Sequence, residues 1–304
     1  MPQPVLESTV HHDWQTLTQE NSMRRLRLWR AIEIVVALMS LVALTVPLLF
    51  PSWPGARILP FALFSLAFWI LPIWTLLRTQ MTVGPALLRI LPILGLLLAA
   101  MLIAIISAPA AVTGNEGQNI LILSAMIPAL TWPVLAWLVR RFPTRTRALG
   151  FTTMGWPANL VIGAAAGAAL GLHLLFSAGL TMGLAQPSAA MLTLLVWTLC
   201  FQAGLLAVGE EILFRGLAYD LLIGSQPGNP IVPGLRIVLL NSIVYLGLWP
   251  SFNLQGVSGV FWFLAYSVVL ALLTTYLRYR QRSLLPGMVC RIVFATLAIL
   301  IFAT

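Results

Sequence analysis

The sequence from Leu205 to Gly216 reads LLAVGEEILFRG and places two adjacent carboxylates, Glu210 and Glu211, in one of the most apolar stretches of the chain. Only eight of the 304 residues are acidic, so two neighbours in such a stretch are conspicuous. Ionisable side chains surrounded by apolar groups cost several kcal/mol unless they are paired or neutralised. The stretch therefore indicates a functional site within a membrane-embedded part of the protein.

The composition around this stretch is that of a membrane protein. Hydrophobic residues make up 60% of the chain, charged residues 8%, and the mean hydropathy is +0.96. These values are typical of polytopic helical membrane proteins. The net charge of +9 comes from arginines in short clusters between apolar runs, which argues against a nucleic-acid partner. Cys200 and Cys290 lie in apolar segments and are expected to be buried free thiols.

Nine segments are apolar and long enough to cross a hydrocarbon core of about 30 Å, which takes about 20 residues. With the N-terminus in the cytoplasm, every arginine except Arg57 and Arg291 falls on the cytoplasmic side, as the positive-inside rule requires. We therefore predict an all-α polytopic bundle of about nine spans, with a polar cytoplasmic tail (1–30), a four-span region (31–148) and a core (149–304). The polar start predicts an uncleaved anchor rather than a signal peptide. The predicted spans are 31–50, 58–77, 90–108, 120–139, 156–180, 189–208, 237–249 with its flanks, 258–277 and 284–303.

Two features of the predicted fifth span concern packing. Gly163, Gly167 and Gly171 recur every four residues, a spacing that lets a neighbouring helix approach closely. We predict a packing seam at these glycines rather than a site. His173 is expected to make an isolated polar contact between helices; the alternative is a relocated catalytic group.

On an ideal α-helix, Glu211 and Arg215 share a face, whereas Glu210 points about 100° away from Glu211. This geometry predicts that Arg215 neutralises Glu211 and that Glu210 faces another partner. A buried carboxylate in that position is suited to act as a general base. The alternative is a purely structural role for both glutamates.

The pattern Glu210-Glu211-x-x-x-Arg215, with Gly209 before it and Gly216 after it, resembles the first motif of the CPBP family. This family of intramembrane proteases comprises CAAX-processing endopeptidases and bacteriocin-processing and self-immunity proteins. The resemblance implies a CPBP-like core at 149–304, in which the first Glu activates a water and the second Glu and the Arg support it. It also implies a Phe-x-x-x-His and a His-x-x-x-Asn motif, which serve as metal ligands or as polar partners of the water and the oxyanion.

The chain departs from the second and third motifs. The second is expected at Tyr245 to Trp249, where Trp249 replaces the His; this Trp is expected to fill the vacated pocket or to sit at the membrane interface. The third is expected after residues 283–287, where Arg291 replaces the His and Ala295 the Asn. We predict a buried ion pair between Arg291 and Glu210; the alternative is that Arg291 clamps an oxyanion.

The chain has only three histidines, and two carboxylates without an imidazole make a poor zinc site, so we expect no metal and no other cofactor. The resemblance implies an endopeptidase of the cell membrane, and the altered motifs predict that its activity is impaired. One alternative is a pseudoprotease that binds a membrane peptide or partner. An alternative of another class is a small proton-coupled transporter with Glu210 and Glu211 as a proton relay. The expected partners are membrane lipids and a membrane-associated peptide or protein substrate.

Overall fold

The computed structural model describes residues 5–50, 58–78, 82–113, 117–152, 155–182, 189–225, 230–249 and 256–302. Within these ranges the secondary structure is helical and contains no strand. The α-helices are α1 (Val5–Leu49), α2 (Ile58–Arg78), α3 (Val83–Thr113), α4 (Gly117–Arg141), α5 (Pro143–Leu149), α6 (Trp156–Met182), α7 (Ala189–Phe201), α8 (Ala207–Glu211), α9 (Tyr219–Ser225), α10 (Ile231–Leu248), α11 (Gly256–Gln281) and α12 (Leu285–Phe302).

Among the described residues, eight helical stretches are long and apolar enough to cross a membrane, and a shorter apolar helix covers Leu285–Leu300. They follow the order of the nine predicted spans, which confirms the all-α polytopic bundle. The placement of the N-terminus in the cytoplasm and the division into a tail, a four-span region and a core stay predictions.

Several spans are longer than predicted. The third begins at Val83 rather than at 90, and the sixth does not end at 208 but continues as Ala190–Ile223. The seventh, Ile231–Leu248, covers most of 237–249 together with its N-terminal flank, as predicted. The sixth continues because its charged residues are neutralised inside the bundle and therefore do not end the helix. Arg215 was placed outside the predicted sixth span, whereas it lies within the observed one and its side chain is completely buried.

The sixth span is a composite helix in which α7, α8 and α9 are joined by two π-helical segments, π1 (Gln202–Leu206) and π2 (Ile212–Ala218). Hydrogen bonds in a π-helix reach back five residues, which widens the turn. The short helix α8 between them carries Glu210 and Glu211. The two glutamates therefore lie between two widened turns of one continuous helix.

Side chains from three other helices bond to backbone carbonyls of the π-helical segments. This fixes the composite helix against α2, α4 and α11. The pairs are Trp69 Nε1 with Leu205 O (2.9 Å), Trp132 Nε1 with Ala203 O (3.1 Å) and Arg278 Nε with Arg215 O (3.0 Å).

Helix α6 packs directly on α12 through the predicted glycine seam. A Cβ atom at Gly167 would collide with the backbone carbonyl of Cys290, and one at Gly171 would lie 2.7 Å from a methyl group of Leu297. Gly163 faces the backbone of α12 in the same way. The seam is confirmed.

Both cysteines are free, with Cys290 buried as predicted and Cys200 only half-buried.

Helices of the N-terminal half cover the glutamate-bearing segment. Phe68 and Trp69 of α2 close over Gly209, where a Cβ would lie 2.7 Å from the Trp69 ring. The Phe68 ring also packs edge-on against Phe214, with centroids 5.6 Å apart. The surroundings of the glutamates are therefore built from both halves of the chain.

Candidate functional site

The glutamates lie in a cluster of buried polar side chains at the centre of the bundle. Each of its charged members is at most 1% exposed. We call it the glutamate–arginine cluster; its members are Glu210 and Glu211 of α8, Arg215 of π2, Asn241 and Tyr245 of α10, and Arg291 of α12. Burial of this kind is tolerated only when charges are paired and hydrogen-bonded.

Arg291 reaches across from α12 and bridges the two glutamates. Its Nη1 lies 2.8 Å from Oε1 of Glu210, and its Nε lies 3.2 Å from Oε1 of Glu211. The ion pair predicted between Arg291 and Glu210 is therefore present, and Glu211 is a second partner.

Arg215 is also shared by the two carboxylates. Its Nη1 lies 3.5 Å from Oε1 of Glu211 and 3.7 Å from Oε1 of Glu210. Its Nη2 donates to Oδ1 of Asn241 and to the carbonyl of Ala271, each at 3.0 Å. The predicted pair of Arg215 with Glu211 is present, and Glu210 is a second, slightly more distant partner. This second contact was not predicted, because the prediction assumed an ideal α-helix and Arg215 lies in π2.

Helix α10 supplies the remaining contacts of Glu210. Asn241 Nδ2 donates to Oε1 at 2.6 Å, and the Tyr245 hydroxyl donates to Oε2 at 3.0 Å. The same hydroxyl accepts a bond of 2.8 Å from Nη1 of Arg291. Both oxygens of Glu210 are thus already engaged by donors from other helices.

Glu211 is less well satisfied than Glu210. Its Oε2 is buried and has no hydrogen-bond partner among the described residues, and neither have Nε and Nη1 of Arg215. The backbone of Gly287 at the start of α12 lies so close that a Cβ there would collide with this oxygen. A glycine at 287 therefore gives the carboxylate its space.

The two remaining residues predicted for the site lie at its edge or outside it. Trp249 is half-buried at the end of α10, one turn beyond Tyr245, and is not a wall residue of the cavity beside the cluster. Of the two positions predicted for Trp249, the one in the vacated pocket is not observed. Ala295 lies one turn after Arg291 on α12 and lines that cavity.

The cavity beside the cluster has a volume of about 390 Å³. It is bounded by α2, α3, the composite helix, α10, α11 and α12, and its walls are largely apolar. Tyr245 and Arg291 are the cluster residues that border it. The charged centre of the bundle is therefore in contact with an apolar space.

Two residues that position the cluster were missed from the sequence. Asn241 had one available signal: it is a polar residue in an apolar segment, four residues before Tyr245 and hence on the same helix face. Arg278 was assigned to a cytoplasmic loop, but it is 8% exposed and also donates to the carbonyl of Ala148 at 3.2 Å. Gly150, with φ of 103°, leaves the space for its guanidinium.

His173 is not part of the cluster. Its Nδ1 contacts the hydroxyl of Tyr266 on α11 and lies 3.4 Å from Oγ of Ser177. The predicted polar contact between helices is confirmed.

The cluster does not fit a divalent metal ion. Within the described parts of the chain, no three His, Cys, Asp or Glu side chains come together. Two guanidinium groups lie between 2.8 and 3.7 Å from the two carboxylates. A divalent cation needs several anionic or neutral ligands. The two guanidinium groups occupy the positions that such a cation would take, and their positive charge repels it.

A family model described as type II CAAX prenyl endopeptidase Rce1-like matches residues 190–297. The matched segment runs from α7 into α12 and contains every residue of the glutamate–arginine cluster. No curated protein and no solved structure matches the chain. The match supports the resemblance found in the first motif: residues 190–297 of this multi-pass membrane protein are similar to the CPBP family.

Proposed function

We propose that this chain is a CPBP-family protein of the cell membrane that binds a membrane-associated peptide or protein without cutting it. The observation that carries the proposal is the 2.8 Å contact between Arg291 Nη1 and Glu210 Oε1, where the family resemblance implies a water-activating base. A general base must have a free lone pair within hydrogen-bond reach of the water it activates. Arg291, Asn241 and Tyr245 already occupy three of the roughly four lone-pair sites on the two oxygens of Glu210.

The contacts of Arg291 also argue against the alternative in which Arg291 stabilises an oxyanion. Its Nε bonds to Glu211, its Nη1 to Glu210 and Tyr245, and its Nη2 to Asn241 at 3.3 Å. An oxyanion hole requires donors that point at the reacting oxygen before the reaction begins. Every nitrogen of this guanidinium is directed at another protein group.

The third motif lacks its second polar residue as well. Ala295, at the position of the family's Asn, offers the cavity only a methyl group. A peptide carbonyl in the cavity would therefore find no side-chain amide at position 295. The transporter alternative stays a prediction, since no contact described here favours it.

The proposal is tested with the purified full-length protein in proteoliposomes. Farnesylated CAAX peptides and unprenylated leader peptides are added, and cleavage is followed by mass spectrometry, with an active type II CAAX endopeptidase as the assay control. We expect wild type and Glu210→Gln to give the same background. Cleavage by wild type that Glu210→Gln abolishes, in a variant that still elutes as a folded species, would refute the proposal.

A further inference from the structure

Most of the buried or half-buried serine and threonine hydroxyls described in these helices make the same hydrogen bond. Each donates to the backbone carbonyl four residues earlier, which satisfies the hydroxyl when no other partner is near. The examples include Ser40, Thr75, Ser107, Ser124, Ser267 and Thr274.

Ser65 of α2 and Thr198 of α7 are exceptions. They are 1% and 5% exposed, and neither hydroxyl oxygen has a hydrogen-bond partner among the described residues. Buried polar groups in native proteins are nearly always bonded, so an unbonded one calls for a missing partner such as a ligand or a water.

Both hydroxyls line the cavity of about 390 Å³ beside the cluster. They come from different halves of the chain, since Ser65 lies outside the segment 190–297 and Thr198 lies inside it. Two free donors thus face one apolar space from two helices. This space lies within the range of about 300 to 1,000 Å³ typical of small-molecule sites, which are mostly apolar with a few placed polar groups.

The chemistry of the walls narrows the class of ligand. Among the described residues that line the cavity, Arg291 alone is charged. It is already paired with both glutamates, so an anionic head group would find no free counter-ion. A peptide backbone would bring many N–H and C=O groups, and each would need a partner in this environment. An uncharged chain with a carbonyl acceptor matches two hydroxyl donors and apolar walls.

We propose that this cavity binds the single acyl chain of a neutral ester lipid, a monoacylglycerol being the simplest case, with the ester carbonyl accepting hydrogen bonds from Ser65 and Thr198. The volume is near the lower end of the usual range for ligand sites, which suits one chain rather than a two-chain phospholipid. The assignment does not depend on whether the cluster is catalytic, because neither hydroxyl belongs to it.

The test uses the full-length protein in detergent and a photoreactive monoacylglycerol with a diazirine in its chain. Binding is measured by titration, and the labelled residues are mapped by mass spectrometry. The comparison probe is the matching alkylglycerol ether, which keeps the chain and the hydroxyls but lacks the carbonyl. A free fatty acid of the same chain length serves as the anionic competitor.

We expect labels on wall residues of the cavity and tighter binding of the ester than of the ether or the fatty acid. Ser65→Ala and Thr198→Val should each weaken ester binding about three- to tenfold, the range for one lost hydrogen bond. Ser124→Ala and Thr131→Val are matched controls, because those buried hydroxyls bond to Ile120 and Ile127 and lie outside the cavity. The controls should bind the ester like wild type.

Stability without added lipid is a second readout. Because Ser65 and Thr198 have no partner in the ligand-free protein, removing either hydroxyl should leave the melting temperature unchanged or raise it. A lowered melting temperature, equal affinity for ester and ether, or labels outside the cavity would each overturn the assignment. Equal affinity together with cavity labels would mean that water alone satisfies the hydroxyls and that the site is merely apolar.

Discussion

Helix α12 is held by opposite means on its two sides. Towards α6 it meets a row of glycines, and at Gly163 and Gly167 the contact is backbone against backbone. Towards the composite helix it extends Arg291, which lies between two glutamates and a tyrosine. One side depends on the absence of side chains and the other on a long charged side chain.

The difference shows two ways of joining helices without a hydrophobic driving force. In a membrane, close packing gains van der Waals contact and fails when an atom is added. A buried charge cluster is neutral as a whole, here with two carboxylates and two guanidinium groups, and fails when one charge is removed. Substitutions on the two sides of α12 should therefore differ in size and in how they are rescued.

The largest effect is expected for Arg291→Leu. It leaves a cluster with two carboxylates and one guanidinium, and breaking a buried pair in this way costs about 3–5 kcal/mol. The measurement is the melting temperature and the monodisperse yield in detergent. Adding Glu210→Gln restores the charge balance and should recover much of the loss. A single variant as stable as wild type would show that the ion pair does not hold α12.

A smaller loss is expected for Tyr245→Phe, which keeps the ring and removes only the hydroxyl shared by Glu210 and Arg291. Hydrogen bonds to charged groups contribute about 1.5–3 kcal/mol. The free energy of unfolding in a denaturant titration should fall by about that amount. If Tyr245→Phe and Arg291→Leu combined are no worse than Arg291→Leu alone, the hydroxyl acts through Arg291; fully additive losses would contradict this coupling.

On the glycine side, Gly167→Ala should cost about 1–3 kcal/mol, the usual range for overpacking, because the new methyl group meets the carbonyl of Cys290. The matched control is Gly95→Ala in α3, where no atom lies within 4 Å of the new Cβ. That control should be neutral or stabilising by about 0.5–1 kcal/mol, since alanine favours a helix. Equal effects of the two variants on the melting temperature would refute the seam.

The smallest loss is expected for Gly171→Ala. Its Cβ would meet the side chain of Leu297 rather than backbone, so Leu297 can shift at a cost of about 0.5–1.5 kcal/mol. The melting temperatures of Gly171→Ala and Gly167→Ala, measured side by side, show which substitution destabilises the protein more. A larger loss at 171 than at 167 would mean that the seam is closest at the other end.

The sequence allowed the two sides of α12 to be predicted for simple reasons. Glycines at intervals of four lie on one helix face, so Gly163, Gly167 and Gly171 predicted a seam. Arg291 was a lone cation deep in an apolar segment, and charge balance left Glu210 and Glu211 as its partners. Both inferences needed only helical spacing and the cost of burying charge.

The detailed geometry of the cluster could not be predicted, because it depends on helix type. Nothing in residues 202–218 marks the π-helical turns, so the neighbours of Arg215 were derived from an ideal α-helix. The sixth span was predicted to end at 208, but the charged residues beyond it neutralise one another inside the bundle and the span continues to Ile223. Asn241 and Arg278 acquire their roles only when distant helices meet, at Glu210 and at the carbonyl of Arg215.

The widened turns of the composite helix also limit how the length of this part of the chain can change. A π-helical turn holds about one residue more than an α-helical turn. Deleting one residue from π1 or π2 would let that turn become α-helical and would leave the helix beyond it nearly in phase with the helix before it. Helix α8 has no such extra residue, so a deletion there would rotate everything beyond it, Arg215 included, by about 100° relative to everything before it. Single-residue deletions should therefore be tolerated better within π1 and π2 than between 207 and 211.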